Sequence, residues 1–309
     1  SLFSALEASQ STQGSEVFSS LEESLDFEKK SMPSALASLS LQEGSSSSQS
    51  RSGDLSKYQI SEFLGKGKFS VVVLSKDESS KEVALKITRL KDSRGNDVSS
   101  ASYDKFHEKS LAVQSLPDHS CIMKTYDSFS TSQEISVLKK TLSVEVKFDS
   151  RITDFFKDYS SLNSFYFERC EYLSGSEVFD EVHYHGSFGP DYAQFTLANA
   201  VRMVEHLQKN RMVHRDIKPE NIVLDVEGNL KLVDFGFAKK FAEQEELRLK
   251  TLCGTAEYLP PELYKGQECN AFPVDIWGIG VVAYVVMSSI DPFYGDKLYK
   301  IREAILNGE

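Results

Sequence analysis

The residues best suited to chemistry lie in two short segments of the chain. The first reads His214-Arg215-Asp216-Ile217-Lys218-Pro219-Glu220-Asn221, and Asp234-Phe235-Gly236 begins thirteen positions after its end. They place two aspartates, one asparagine and one lysine on either side of a hairpin-like stretch at 222–233. Transfer of a phosphoryl group from a magnesium nucleotide to a hydroxyl needs a proton acceptor, a cation and oxygen ligands for the metal ions. The two segments therefore predict phosphoryl transfer.

Each polar side chain of these segments has its own part in that chemistry. Asp216 is the predicted general base, because a carboxylate within hydrogen-bond reach can take the proton of the attacking hydroxyl. Lys218 would neutralise the phosphoryl group in transfer. Asn221 and Asp234 would bind Mg²⁺, which prefers hard oxygen ligands. Asp and Asn in loops are commonly turn formers, but the joint spacing argues against that interpretation here.

Both segments resemble the catalytic and metal loops of the eukaryotic protein kinase family. The resemblance runs from Tyr58 to Glu309 with residues 130–163 set aside. It implies an α+β fold with two lobes, a small antiparallel sheet lobe with one main helix and a larger, mostly helical lobe. Lys218 with Pro219-Glu220-Asn221 and Thr255 after Cys253-Gly254 are similar to the serine/threonine-directed branch, near the cyclic-nucleotide-dependent and calmodulin-dependent groups. In that branch the threonine helps to position the catalytic Asp and Lys.

The resemblance also implies a site for ATP. Lys86 matches the lysine that pairs with the phosphates, and Glu108 matches the helix acid that holds it, although a Glu beside a Lys is ordinarily surface charge. In the glycine loop, Ser70 stands where the family has a third glycine. The remaining residues implied for the nucleotide are Gly65, Lys66, Gly67, Lys68, Phe69, Val72, Ala84, Glu171, Leu173, Glu177 and Val223.

A segment similar to an activation loop runs from Gly236 to Glu262. Thr251 is its predicted phosphorylation site, for which an upstream kinase would be required. Arg215 and Lys239 would bind the phosphate through charge-assisted hydrogen bonds. Further along, Asp275 matches the residue of a buried helix that steadies the backbone of the catalytic loop.

Composition limits the partners of the chain. The 46 acidic residues outnumber the 35 basic ones, for a formal net charge of −11. This balance argues against nucleic-acid binding, which favours a basic surface, and suits a protein substrate with basic residues upstream of its Ser or Thr. The longest apolar run, 279–287, is shorter than the roughly 20 residues of a membrane span, and no signal peptide is recognised. The four cysteines have no metal or disulfide spacing, so a cytoplasmic or nuclear location is expected, with cytoplasmic favoured.

The chain divides into regions of different composition. Residues 1–53 form a Ser-rich tail that is predicted to be disordered, because it has little apolar surface to bury. The kinase-like domain covers 54–309, with a smaller lobe at 54–173 and a larger lobe at 174–309. Residues 130–163 form an insertion without a recognisable motif. The larger lobe is expected to be incomplete, since no Arg is present to pair with Glu262 as in the family.

Hydrophobic patterns predict the main elements. Strands are predicted at 58–64, where apolar and polar residues alternate, and at 71–74, 82–87, 124–129 and 165–173. Helices are predicted at 103–116, 192–209, 275–287 and 297–307; the third is apolar nearly all round and is therefore expected to be a buried central helix. On the 192–209 helix, one apolar face should hold Leu197, Ala200, Val201, Val204 and Leu207.

Two functions remain open at this stage. The first is an ATP-dependent protein serine/threonine kinase that uses Mg²⁺. The second is an inactive nucleotide-binding scaffold of the same fold. Lys86, Asp216 and Asp234 are all present, which favours catalysis.

Overall fold

A computed structural model describes residues 53–67, 70–90, 100–131, 133, 137, 150–156 and 165–308, with residues 100–105 and Thr153 described by their backbone alone. The predicted Ser-rich tail lies outside this range except for Gly53, as does most of the insertion. The described residues form two compact units, one of residues 53–175 with 224–231 and the other of 176–223 with 232–308. The α+β class with a strand-rich and a helix-rich part is confirmed.

The strand-rich unit contains a five-stranded antiparallel sheet and one main helix. Its strands, in the spatial order β1-β2-β3-β5-β4, are β1 (Gln59–Lys66), β2 (Ser70–Lys76), β3 (Glu82–Arg89), β4 (Thr125–Ser130) and β5 (Phe165–Glu171). Helix α1 spans Ser100–Gln114. Because side chains alternate across a strand, each strand presents one set of residues to each face of the sheet.

One face of this sheet is covered by part of the insertion. Helix α2 (Ser150–Phe156) buries its apolar residues Ile152, Phe155 and Phe156 in the same cluster as the inward side chains of the strands. The sequence predicted no element here. This helix has only seven residues, and its apolar residues at i, i+3 and i+4 occur once. A single occurrence is too short for a helical period to be recognised in the sequence.

The helix-rich unit is built from five helices among its described residues and pairs of short strands. The helices are α3 (Val178–His185), α4 (Pro190–Lys209), α5 (Pro261–Tyr264), α6 (Phe272–Ser288) and α7 (Leu298–Asn307). Strands β6 (Met212–Val213) and β9 (Lys239–Lys240) pair, as do β10 (Arg248–Leu249) and β11 (Cys269–Asn270). The predicted hairpin at 222–233 is present as β7 (Ile222–Leu224) and β8 (Leu230–Leu232), and its residues 224–231 belong to the strand-rich unit.

Two predictions about helix faces need correction. Along α4 the buried residues include Ala200, Val204 and Leu207, whereas Val201 is 52% exposed. Helix α6 is not buried all round, because Met287 is exposed on it. A pattern of apolar residues cannot distinguish a buried face from an apolar face that the described residues leave uncovered.

Helix α6 holds the predicted catalytic loop through one carboxylate. Asp275, which is 1% exposed, accepts hydrogen bonds from the backbone N–H groups of His214 and Arg215, both at 2.8 Å. Gly278 lies one turn later, where a Cβ atom would come within 3.0 Å of Ile217. The small residue allows the loop to pack closely on the helix, and the expected contact of Asp275 with the loop is confirmed.

Replacing Asp275 by Ala should destabilise this unit. The change leaves two buried backbone donors without an acceptor, at about 1–3 kcal/mol each, so the free energy of unfolding should fall by about 2–6 kcal/mol. The free energy of unfolding is measured by urea unfolding, followed by the fluorescence of Trp277, the single tryptophan of the chain. Ile276→Ala is the control, because this neighbour is 51% exposed and should change stability by less than about 0.5 kcal/mol. Equal effects of the two changes would contradict the assignment.

Candidate functional site

The predicted catalytic side chains are joined by direct hydrogen bonds within the helix-rich unit. Asp216 is 5% exposed; its Oδ1 accepts from the backbone N–H of Thr255 at 2.8 Å and its Oδ2 from Asn221 Nδ2 at 3.0 Å. Lys218 Nζ donates to Thr255 Oγ1 at 2.9 Å and lies 3.7 Å from Asp216 Oδ2. Thr255 therefore contacts both the candidate base and the candidate cation.

Backbone strain accompanies this cluster. Arg215 (φ 68°) and Asp234 (φ 53°) both have the left-handed conformation, which is uncommon for residues other than glycine and costs energy. Gly254 has φ 111°, and a Cβ atom there would lie 2.3 Å from the carbonyl oxygen of Arg215. Only glycine fits where the activation segment passes so close to the catalytic loop.

The two candidate metal ligands have their side chains oriented by neighbouring groups. Asn221 Nδ2 also donates to the backbone oxygen of Asp216 at 2.8 Å, so the amide nitrogen is directed at Asp216 and the amide oxygen is the atom suited to a cation. Asp234 Oδ1 accepts from the Gly236 N–H at 3.1 Å. An amide oxygen and a carboxylate suit Mg²⁺, which completes its shell with phosphate oxygens and water. The described residues contain no group of three or more His, Cys, Asp or Glu that could hold a metal ion.

In the strand-rich unit, the sheet aligns the residues predicted for the nucleotide. Gly65 pairs with Val72, Val72 with Lys86, and Ala84 lies two residues from Lys86 on β3. Residues two apart on a strand share a face, so Val72, Ala84 and Lys86 lie on one face of the sheet. This is the face opposite to the one that α2 covers.

The other residues predicted for the nucleotide are distributed over both units. Gly65 and Lys66 end β1, Gly67 donates from its N–H to the Ser70 carbonyl at 2.8 Å, and Lys68 and Phe69 lie outside the described residues. The remaining ones in the strand-rich unit are Glu171, at the end of β5, and Leu173, just beyond it. Within the helix-rich unit, Glu177 forms an isolated bridge with Val223.

Glu108 is not placed as the sequence suggests. It is exposed on α1, and among the described residues no ion pair joins it to Lys86. The preceding His107 instead faces β5, where its Nδ1 lies 3.0 Å from the hydroxyl of Tyr166. One residue further along an α-helix turns the side chain by about 100°, so a helix that directs His107 at the sheet directs Glu108 elsewhere.

A polar network fixes that orientation of α1. The Tyr166 hydroxyl donates to Ser128 Oγ at 2.7 Å, and Gln114 Nε2 donates to the same Oγ at 3.0 Å. Gln114 also donates to Ser110. His107, Ser110 and Gln114 stand at i, i+3 and i+7, which is one helix face. A short run of polar residues gave no signal in the sequence that this face packs on the sheet.

The activation segment is held by several contacts. Lys239 Nζ forms an ion pair with Glu245 at 2.9 Å, and Arg215 Nε donates to the backbone oxygen of Phe237 at 2.7 Å. Leu249 is buried, and its strand β10 pairs with β11. Thr251 follows this strand and is partly exposed. Both predicted phosphate ligands therefore have contacts within this unit, and Lys239 already has an acidic partner.

Three acidic side chains of the helix-rich unit, Glu177, Glu220 and Glu257, interact electrostatically with Lys218. Burial, and then the charges of Asp180 and Glu220, raise the pKa of Glu177 to about 7. Burial also raises the pKa values of Glu220, Glu257 and Asp291. The sequence did not point to Glu257 or Asp291, since isolated acids in loops carry no distinguishing pattern.

Three further sequence predictions concern the partner of Glu262, the state of the cysteines and membrane-spanning helices. Among the described residues no ion pair to Glu262 is present. All four cysteines are described, and none is bonded to another. Within the described residues no helix has the length and apolar character to cross a bilayer.

Comparison with known proteins agrees with this geometry. Residues 58–308 match the family described as the protein kinase domain. Over 203 residues, 66% of this chain, the sequence is 34% identical to the human putative serine/threonine-protein kinase PRKY and to the human cAMP-dependent protein kinase catalytic subunit PRKX. It is 30% identical over 256 residues, 82% of this chain, to the zebrafish (Danio rerio) serine/threonine-protein kinase SIK3 homolog.

The matched part of the chain covers 68% of the length of PRKY, 52% of the length of PRKX and 18% of the length of the SIK3 homolog. The family match covers most of the chain and includes both loops that carry the candidate catalytic residues. The chain belongs to the protein kinase family, and by its relatives to the serine/threonine kinases.

Proposed function

We propose that this protein serine/threonine kinase transfers the γ-phosphoryl group of MgATP to Ser or Thr hydroxyls of protein substrates, with Asp216 as the general base. The observation that carries the proposal is the hydrogen-bonded set of Asp216, Lys218, Asn221 and Thr255. Mg²⁺ supplies charge neutralisation on the phosphate oxygens when it is bound.

The contacts of Asp216 support its role as the base. The Thr255 N–H and the Asn221 amide orient its carboxylate, so the carboxylate needs little reorganisation to receive the proton of the attacking hydroxyl. Lys218, held by Thr255, places its positive charge beside the carboxylate, where the phosphoryl group would pass. Asn221 and Asp234 would hold the magnesium ions, and Lys86 would contact the phosphates.

We further propose a preference for substrates with a basic residue upstream of the target. The supporting observation is the group of partly buried carboxylates whose charges interact with Lys218, namely Glu177, Glu220 and Glu257. A guanidinium group can pair with such carboxylates through several hydrogen bonds. No acid stands at Val285, where relatives that prefer Arg are expected to have one.

Replacing Asp216 by Asn should abolish phosphoryl transfer while ATP still binds. The amide keeps the shape but cannot accept the proton, and loss of a general base costs about 10²–10⁴ in rate. Transfer from radiolabelled ATP with Mg²⁺ to an Arg-containing Ser peptide measures the rate, and fluorescence titration measures ATP binding. Asp191→Asn, at an exposed position on α4, removes the same charge and should leave the rate unchanged. Nucleotide binding without transfer in the wild-type chain would favour the inactive scaffold.

Recognition of a basic substrate should weaken in acid. With a pKa of about 7, Glu177 is mostly ionised at pH 8 and mostly protonated at pH 6, so it attracts a guanidinium group only at the higher pH. The KM for an Arg-containing peptide should rise severalfold between pH 8 and pH 6. A peptide with Ala in place of Arg serves as the reference, and Glu177→Gln should remove the difference in pH dependence. A parallel pH profile for both peptides would argue against a contact with Glu177.

Phosphorylation of Thr251 should increase activity. A phosphate there would add negative charge near Arg215 and Lys239, and for Lys239 it would compete with Glu245, its present partner. Thr251→Ala should therefore lower kcat after treatment with an upstream kinase, as measured against wild type treated in the same way. Glu245→Gln, which frees Lys239 for the phosphate, should strengthen the response. Equal kcat values for wild type and Thr251→Ala would exclude this role.

A further inference from the structure

The insertion contacts the strand that leads into the glycine turn, Gly65-Lys66-Gly67. The guanidinium carbon of Arg151, on α2, lies 3.9 Å from the centroid of the Phe63 ring, on β1. Phe63 is partly buried and packs against the core cluster to which α2 contributes. A cation this close to a ring face is a favourable contact, and it lies two residues before Gly65.

The regular pairing of β1 changes immediately after Phe63. Phe63 pairs with Val73, whereas Gly65 pairs with Val72, so Leu64 is an extra residue on β1. A bulge of this kind bends its strand and changes the direction of the residues after it. The glycine turn therefore starts from a bend, and the direction of that bend depends on how firmly Phe63 is held.

Helix α2 is itself held by strands β3 and β5 of the sheet. Phe156 packs on Phe165 of β5, with 4.8 Å between the ring centroids. Arg89, at the end of β3, donates from Nη2 to the backbone oxygen of Phe155 at 2.6 Å, and its guanidinium lies 4.0 Å from the Phe155 ring. The helix thus connects β3 and β5 to β1, and Arg151 is its contact at the β1 end.

This connection lies on the face opposite to the nucleotide residues. Phe63 and Val73 belong to the face that α2 covers, while Val72, Ala84 and Lys86 point the other way. Through its contact with Phe63, Arg151 can therefore act on the nucleotide residues by way of β1 and its glycine turn.

We propose that Arg151 is a positioning residue for the nucleotide. By holding Phe63 before the bulge of β1, Arg151 sets the affinity of the protein for ATP. The proposal rests on the proposed function, because it assigns the glycine turn to the phosphates. A contact of this kind at an exposed site changes an equilibrium by about two- to fivefold, and that is the expected size of the effect.

The test compares three variants of the full chain. Arg151→Ala removes the cation, Arg151→Lys keeps it, and Asp154→Asn changes one charge at an exposed position of the same helix. For each, the Kd for ATP with Mg²⁺ is measured by titration, and kcat, KM for ATP, KM for peptide and the thermal midpoint are determined. Arg151→Ala should raise both Kd and KM for ATP about two- to fivefold, with kcat and KM for peptide unchanged. Arg151→Lys should restore most of the loss, and Asp154→Asn should match wild type.

The outcomes separate this inference from the proposed function. If wild type binds ATP and transfers phosphate to the peptide, and Arg151→Ala binds ATP equally well, the positioning role is wrong and the proposed function stands. If Arg151→Ala lowers kcat together with the thermal midpoint and leaves KM for ATP unchanged, Arg151 is merely structural and the inference is overturned. If wild type binds no ATP, the proposed function fails and the inference fails with it.

Discussion

The catalytic loop depends on one buried carboxylate. Asp275 accepts two backbone N–H groups, from His214 and Arg215, and thereby holds Arg215 in a left-handed conformation that would otherwise be unfavourable. Asp216 follows directly, so its side chain starts from a fixed backbone. The contacts of Asp216 with Thr255 and Asn221 then complete an arrangement in which a single helix residue supports the candidate base.

The sheet separates two tasks between its faces. On one face Val72, Ala84 and Lys86 form the predicted nucleotide surface, and on the other the strands and α2 form an apolar cluster. Because alternate residues of a strand point to opposite faces, the residue types on one face can differ from those on the other. The apolar face could therefore take up part of an insertion without any change in the residues proposed for ATP.

Local sequence predicted the elements well where a period was long enough to see. The strands around Lys86 and the helices around Ala200 and Val282 were located within a few residues of their bounds. Helix α2 was missed because seven residues show no sustained period. The exposure of Val201 and Met287 was missed because apolar character alone does not say what covers a residue.

By itself the sequence determined the chemistry: residue types and spacing in the loops of Asp216 and Asp234 identified phosphoryl transfer and the family. Only the tertiary structure decided which groups meet. Thr255 reaches both Asp216 and Lys218, although 37 residues separate it from the lysine. Glu108 is exposed because α1 packs through the neighbouring His107. Such contacts depend on how elements distant in sequence rotate and pack, which no local pattern specifies.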